Sequence, residues 1–98
     1  MALLEISVVP VGTDSPSISS FVAQACKEAQ RNGIKFEVTP TSTVMEGDLP
    51  ALLHVAQEMH HAAFKGDCQR VVTNISIDER RDKDLCMEKT VQAVRNEV

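Results

Sequence analysis

The chain has 98 residues, of which 43% are hydrophobic and 24% charged, and its formal net charge is −4. This length predicts one domain over residues 1–98. The ten Lys and Arg are dispersed, so there is no basic stripe for a nucleic-acid partner, and no apolar run approaches the ~20 residues of a membrane span.

The first residues and the cysteines indicate the compartment. Residues 1–5 lead straight into a strand pattern, without the basic and long apolar regions of a signal peptide. Cys26, Cys68 and Cys86 are odd in number and have neither metal-binding nor redox spacing. We therefore expect a cytoplasmic protein whose reduced cysteines serve as small apolar fillers.

A strand and a helix are predicted in the first third of the chain. Residues 3–11 alternate between apolar and polar positions, which is typical of a half-buried strand. Ser15 followed by Pro16 predicts the start of a helix, and Asn32 followed by Gly33 predicts its left-handed end. The apolar positions at helical spacing between them are Ile18, Phe21, Val22, Ala25 and Ala29.

A hairpin and a second helix follow. Residues 34–40 and 41–47 predict two strands with Pro40 at their junction, since proline cannot donate to a central ladder. Asp48 is a candidate N-cap for the next helix, and Gly66 is its predicted end. The predicted apolar face of this helix contains Leu49, Leu52, Leu53, Ala56, Met59 and Ala63.

The last third predicts a strand over residues 69–78, a charged loop over 79–83 and a helix from about Asp84. The apolar positions of that helix are Met87, Val91, Val94 and Val98. The element order βαββαβ, plus a terminal helix, predicts an α+β ferredoxin-like sandwich with a four-stranded antiparallel sheet and both main helices on one face.

One sheet face is left open in this fold. If Leu4, Ile6, Val71 and Ile75 point at the helices, the open face carries Glu5, Ser7, Val9, Val72, Asn74 and Ser76. A domain of this size buries only about two-thirds of its unfolded surface. We therefore expect self-association to cover the open face.

Three segments carry a family resemblance: E-I-S-V-V-P-V-G at 5–12, P-T-S-T-V-M-E-G at 40–47, and the stretch 70–83 with its D-E-R-R-D-K end. On these residues the chain resembles the YkoF-like thiamine-binding family of small ferredoxin-like proteins. The resemblance implies a homodimer formed through sheets, often assembled into a homotetramer. It also implies non-covalent binding of thiamine or its hydroxymethylpyrimidine part near subunit contacts, with no catalysis and no other cofactor.

Five residues are candidates for contacting such a ligand. An aminopyrimidine needs hydrogen-bond acceptors for its amino group and donors for its ring nitrogens, and a thiazolium favours negative charge. The candidates of these types are Glu5, Ser7, Thr43, Glu46 and Asn74. Strand alternation places Glu5 and Ser7 on the open face, and Asn74 joins them across the neighbouring strand. The resemblance alone selects Thr43 and Glu46.

Each candidate has a structural alternative. A glutamate on an exposed strand face, such as Glu5, is commonly just solvated. Ser7 and Asn74 fit a dimer contact equally well. Glu46 fits stabilisation of the following helix N-terminus, with Gly47 serving the turn.

Other polar clusters predict no reaction or metal site. Arg80, Asp82 and Lys83 fit a solvated loop or an ion pair between subunits. His60 and His61 are about 100° apart on a helix, which does not suit a shared metal. No cysteine has the electropositive setting of a nucleophile.

The sequence thus predicts a non-catalytic protein that binds thiamine or its pyrimidine moiety. A regulatory or structural oligomer without thiamine binding remains an alternative, and an enzyme with the sheet face as its active-site wall is a third reading that no acid–base pair supports. An RNA-recognition domain is disfavoured because the chain has three Phe and no Tyr or Trp for base stacking.

Overall fold

The computed structural model describes residues 1–11, 23, 26–27, 29–64, 68–82 and 86–98. Its elements are β1 Ala2–Val11, β2 Lys35–Val38, β3 Thr43–Gly47, α1 Leu49–Ala62, β4 Arg70–Glu79 and α2 Met87–Glu97. Residues 23, 26–27 and 29–31 are also helical, ahead of β2. None of the described helices is long and apolar enough to cross a membrane.

The four strands form one antiparallel sheet in the order β2-β3-β1-β4. The central strand β1 pairs with both β3 and β4, as the predicted right-handed crossovers require. This arrangement confirms the predicted α+β ferredoxin-like architecture with its additional C-terminal helix.

The strand boundaries follow from local chemistry. The predicted bounds of the two longest strands, β1 and β4, agree with the structure to within one residue. The hairpin strands are shorter than predicted, because residues 39–42 form a turn in which Thr39 N–H donates to the Ser42 carbonyl at 2.8 Å. The Thr39 hydroxyl also accepts the Ser42 N–H at 3.1 Å. Pro40 therefore lies in a turn and not in a ladder.

The end of the first helical segment is confirmed. Gly33 has a φ of 73°, the left-handed conformation that glycine adopts most readily at a helix end. Its N–H donates to the Gln30 carbonyl at 3.1 Å. The predicted start at Ser15 and Pro16 lies outside the described residues, as do the predicted apolar positions Ile18, Phe21, Val22 and Ala25.

The core lies between the sheet and α1. From the sheet, Leu4, Ile6 and Met45 are buried. The buried residues of α1 are Leu52, Val55, Ala56 and Met59. The predicted place of Leu53 in this face is wrong: Leu53 is 41% exposed. It follows Leu52 by about 100° around the helix axis, which places it on the helix flank.

The ends of α1 also differ in part from the prediction. Asp48 is the N-cap residue, but its side chain makes no capping hydrogen bond. The helix ends at Ala62, with Ala63 as the C-cap, while the predicted end at Gly66 lies outside the described residues. Near this end, His60 Nδ1 and Thr73 Oγ1 of β4 are 2.7 Å apart, so the hydrogen bond ties helix to sheet.

The C-terminal helix α2 buries none of its residues. Its predicted apolar positions Val91, Val94 and Val98 are exposed. The helix begins at Met87, after Cys86 as N-cap, and the Cys86 sulfur accepts the Lys89 N–H at 3.4 Å. Cys86 is therefore a cap and not the predicted apolar filler, whereas Cys26 and Cys68 are buried. The predicted start near Asp84 lies outside the described residues.

Candidate functional site

A row of polar side chains crosses the open sheet face. Ser7 of β1 lies opposite Asn74 of β4, and Glu5 of β1 lies opposite Ser76 of β4. Side chains that face each other in an antiparallel pair project from the same side of the sheet. The predicted placement of Glu5, Ser7 and Asn74 on one sheet face is therefore confirmed, while their role in binding stays a prediction.

Glu46 belongs to the same sheet face. It lies opposite Leu3 of β1 and Lys35 of β2, and Glu5 is its diagonal neighbour across β1. Diagonal pairs of this kind are roughly 7–8 Å apart. Unlike Glu5, which is exposed, Glu46 is only 6% exposed. The open face therefore has an exposed part at β1 and β4 and a buried acid at β3.

A cavity of about 720 Å³ opens beside Glu46. We name it the helix-edge cavity, because α2 supplies one wall and the β2 edge of the sheet supplies another. Charged residues that line it are Lys35, Glu37 and Glu46 from the sheet and Glu88 and Arg95 from α2. Lys35 Nζ and Glu88 Oε1 are 4.0 Å apart across the cavity. Both side chains are largely exposed, so this ion pair contributes little stability.

The carboxylate of Glu46 is the unusual group in this cavity. No hydrogen bond or ion pair joins it to another described residue. Every fully enclosed side-chain oxygen or nitrogen among the described residues has a partner, so the carboxylate oxygens of Glu46 are open to the cavity. Glu46 is therefore placed to accept hydrogen bonds from an N–H group that enters the cavity.

Thr43 lies on the other face of the sheet. It pairs with Ile6 and Val38, it is buried, and it lines a second cavity of about 740 Å³ between the sheet and the helices. The walls of this interlayer cavity include apolar Phe36 and Met59. Ser7 and Val9 of β1 also line this cavity, so it brings together two of the predicted residues, Ser7 and Thr43.

The five predicted residues therefore do not form one cluster. Four of them, Glu5, Ser7, Glu46 and Asn74, share the open face. Glu46 and Asn74 are separated by two strand spacings and four residues, roughly 16 Å from strand geometry. A small molecule in the helix-edge cavity therefore has Glu46 within reach and Asn74 out of reach, while Glu5 lies one diagonal step outside the cavity lining.

Sequence reasoning missed the residues that complete the cavity wall: Lys35, Glu37, Glu88 and Arg95. Glu88 and Arg95 lie on α2. The amphipathic pattern of this segment predicts a helix, but it does not show that the helix lies beside β2. Lys35 and Glu37 alternate with Phe36 and Val38 on β2. This alternation predicts a strand with both charged residues on one face, but it does not indicate a cavity there.

The remaining clusters have structural explanations. Arg80 Nε and Nη2 donate to the two carboxylate oxygens of Asp82 at 3.0 and 2.6 Å, so this pair forms within one subunit. Lys83 lies outside the described residues. His60 packs edge-on against Phe64 and contacts Thr73. Among the described residues, no group of His, Cys, Asp and Glu is arranged to hold a metal ion.

Thiol reactivity is expected to follow burial. Burial raises the pKa of the Cys26 thiol, which lowers its thiolate fraction at neutral pH. Cys86 is partly exposed, so iodoacetamide should modify Cys86 well before Cys26 in the folded protein. Mass spectrometry of timed samples measures the order, and labelling in concentrated guanidinium is the control in which the difference should vanish. Equal rates in the folded protein would contradict this assignment.

Comparisons with known proteins cover nearly the whole chain. A family model described as "Thiamine-binding protein" matches residues 4–95. A UPF0045 protein of Staphylococcus xylosus is 44% identical over 98 residues, covering 96% of this chain and 92% of that protein. The crystal structure of protein MJ1052 from Methanocaldococcus jannaschii superposes with a TM-score of 0.80 at 33% identity, covering 96% of this chain and 95% of that one.

A more distant solved structure shares the fold. It is TM0486 of Thermotoga maritima, whose name assigns it provisionally to thiamine biosynthesis or salvage. Its TM-score is 0.71 at 22% identity, with 96% of this chain and 98% of that chain covered. The matched architecture therefore extends from close relatives to this remote one.

Proposed function

Because the chain belongs to the thiamine-binding protein family, we propose that it binds thiamine or the hydroxymethylpyrimidine moiety of thiamine and releases it unchanged. The observation that carries this proposal is Glu46, a mostly buried residue whose carboxylate oxygens are open to the helix-edge cavity. Such a group is matched to the exocyclic amino group of an aminopyrimidine, which donates hydrogen bonds.

The charges around the cavity suit the rest of the ligand. Glu37 and Glu88 add negative charge at the cavity wall, which favours a cationic thiazolium. Lys35 and Arg95 are the cations that would meet a hydroxyl or phosphate at the far end of the molecule. Glu5, one diagonal step from Glu46, extends the acidic surface toward β1.

The proposed role is to carry or buffer the ligand in the cytoplasm without changing it covalently.

The open sheet face carries exposed valines that favour self-association. Val9 and Val72 face each other on the open face and are both exposed, next to the Ser7 and Asn74 pair. A second copy that covers this face buries the valines and gives the two polar residues partners across a subunit contact. We propose a homodimer or homotetramer in which Glu5, Ser7 and Asn74 lie at that contact, and in which Thr43 contacts any ligand group that reaches the interlayer cavity.

Calorimetric titration tests the proposal. Thiamine, its pyrimidine alcohol and thiamine diphosphate are each titrated into the protein, and light scattering gives the mass of the same sample. We expect saturable binding of thiamine or the pyrimidine, with one site per subunit. A folded oligomer that binds none of the three at millimolar concentration would exclude thiamine binding and favour the regulatory or structural oligomer.

A further inference from the structure

The interlayer cavity differs in chemistry from the helix-edge cavity. Its volume of about 740 Å³ lies within the range of roughly 300–1,000 Å³ that is typical of small-molecule sites. Apolar side chains form much of its described wall, among them Ile6 of β1, Phe36 of β2 and Met59 of α1. Lys27 is the one charged residue among the described residues that line it, whereas three carboxylates line the helix-edge cavity. The interlayer cavity therefore suits a ligand with an apolar body and no positive charge.

The cavity lies where β1 extends beyond its partner β3. The pairing of β1 with β3 ends at Ile6 and Thr43, while β1 continues to Val11 beside β4. Beyond the end of β3, residues from both faces of β1 border the cavity, including Val8 on the helix-facing side and Ser7 on the open side. A ligand can therefore enter between the layers past the end of β3 without any strand leaving the sheet.

Thr43 provides the buried polar group of this cavity. It is 4% exposed, and no side-chain hydrogen bond joins it to another described residue. Since no fully enclosed side-chain oxygen or nitrogen of the described residues lacks a partner, the Thr43 hydroxyl is open to the cavity. Buried hydroxyls in folded proteins nearly always have a hydrogen-bond partner. A polar atom of a ligand would supply that partner.

The hairpin turn beside Thr43 is held by its own hydrogen bonds. The Thr39 hydroxyl donates to the Ser42 carbonyl at 3.0 Å and accepts the Ser42 N–H at 3.1 Å. Thr39 and Ser42 also line the cavity, but their hydroxyl oxygens lie 3.3 Å from each other. The turn therefore fixes the end of β3, and with it the Thr43 hydroxyl, before any ligand binds. Such preorganisation lowers the entropic cost of binding.

We propose that the interlayer cavity is a second ligand site, which takes a monocarboxylate with an apolar chain or ring. Thr43 donates its hydroxyl hydrogen to a carboxylate oxygen, and Lys27 supplies the opposite charge. The apolar walls remove the body of the ligand from water. This assigns Thr43 a ligand of its own, because Glu46 and the helix-edge cavity lie on the opposite side of the sheet.

A series of ligands with one chain and different head groups tests the ligand class. Octanoate, 1-octanol and octylammonium are each titrated calorimetrically into the whole protein. We expect saturable binding of octanoate with one site per subunit, weaker binding of octanol and none of octylammonium. Equal binding of the three would show apolar partition without recognition and would overturn the proposal. Failure of the folded protein to bind octanoate would overturn it as well.

Variants at Thr43 test the hydrogen bond. Thr43→Val keeps the branched shape and removes the hydroxyl, so octanoate binding should weaken at least about tenfold. Thr43→Ser keeps a hydroxyl and should retain binding. Thr41→Val removes an exposed hydroxyl from the same cavity and is the matched control, which should bind octanoate as the parent does. Equal effects of the two valine substitutions would refute the role of Thr43.

Cys26 reports occupancy of the cavity independently of calorimetry. Its side chain lines the interlayer cavity, whereas Cys86 is the N-cap of α2. Saturating octanoate should slow the alkylation of Cys26 by iodoacetamide and leave that of Cys86 unchanged, as measured from the masses of the two peptides. Protection of both cysteines, or of neither, would contradict binding in this cavity.

Failure of this inference is separable from failure of thiamine binding. Octanoate should bind equally well with thiamine present, and Glu46→Gln should leave octanoate binding unchanged. Octanoate binding to a protein that binds no thiamine would still support the second site. Displacement of octanoate by thiamine would overturn the inference and assign the interlayer cavity to thiamine.

Discussion

Changing Glu46 to glutamine is expected to weaken thiamine binding by about 10- to 100-fold. The substitution keeps the shape of the side chain and removes its charge, so the protein keeps its packing and loses a charge-assisted hydrogen bond, which is worth about 1.5–3 kcal/mol. Calorimetric titration of both proteins under the same conditions measures the change. The amide also brings an N–H₂ that opposes the amino group of the pyrimidine.

Two matched variants locate the ligand. Glu37→Gln removes an equal charge from an exposed position in the same cavity, and Glu5→Gln removes one from the open face. We expect both to weaken binding only a few-fold, because solvent screens exposed charges. If Glu5→Gln abolished binding and Glu46→Gln did not, the ligand would lie on the polar row at β1 and β4, away from the helix-edge cavity.

Changing Leu52 to alanine is expected to lower the free energy of unfolding by about 3 kcal/mol. Leu52 is 0% exposed, and its side chain packs beside Gly47 of β3, so truncation leaves a cavity that the neighbouring strand cannot fill. Urea unfolding followed by circular dichroism measures the loss. Protein concentration is held fixed throughout, because association shifts apparent stability.

Leu53→Ala is the control for this substitution. The side chains are identical and adjacent, but Leu53 is 41% exposed, so its truncation should cost less than about 1 kcal/mol. Equal losses at the two positions would show that Leu53 is buried in the assembled protein. That result would identify the flank of α1 as a subunit contact.

Strand periodicity accounts for most of what could be predicted. A strand alternates its faces with a period of two, so once Leu4 and Ile6 are assigned to the core, Glu5 and Ser7 must face outward. The break at Gly33 gave the end of the first helical segment, and Pro40 gave the position of the hairpin turn but not the ends of its two strands. The common face of Ser7 and Asn74 followed as well, whereas their direct pairing is seen only in the structure.

The sequence predicted less well which side of a helix faces the core and which elements lie next to each other in space. The helix pattern of α1 accommodates Leu53 or Val55 beside Leu52, and only packing against the sheet selects Val55. Thr43 and Glu46 came from motif resemblance. Strand alternation puts residues three apart on opposite faces, but only the register of β3 with β1 shows that Thr43 faces the helices and Glu46 the open face. Nothing in the pattern of α2 shows that it borders β2, which is why the helix-edge cavity was not foreseen.

The helix α2 lines the helix-edge cavity but takes no part in the hydrophobic core. Since this helix buries none of its residues, the hydrophobic core makes almost no demand on its composition. Yet the same helix forms a wall beside Glu46. Under the proposed function, mutation along α2 would therefore change the lining of the helix-edge cavity, and with it the choice of ligand, at little cost to folding.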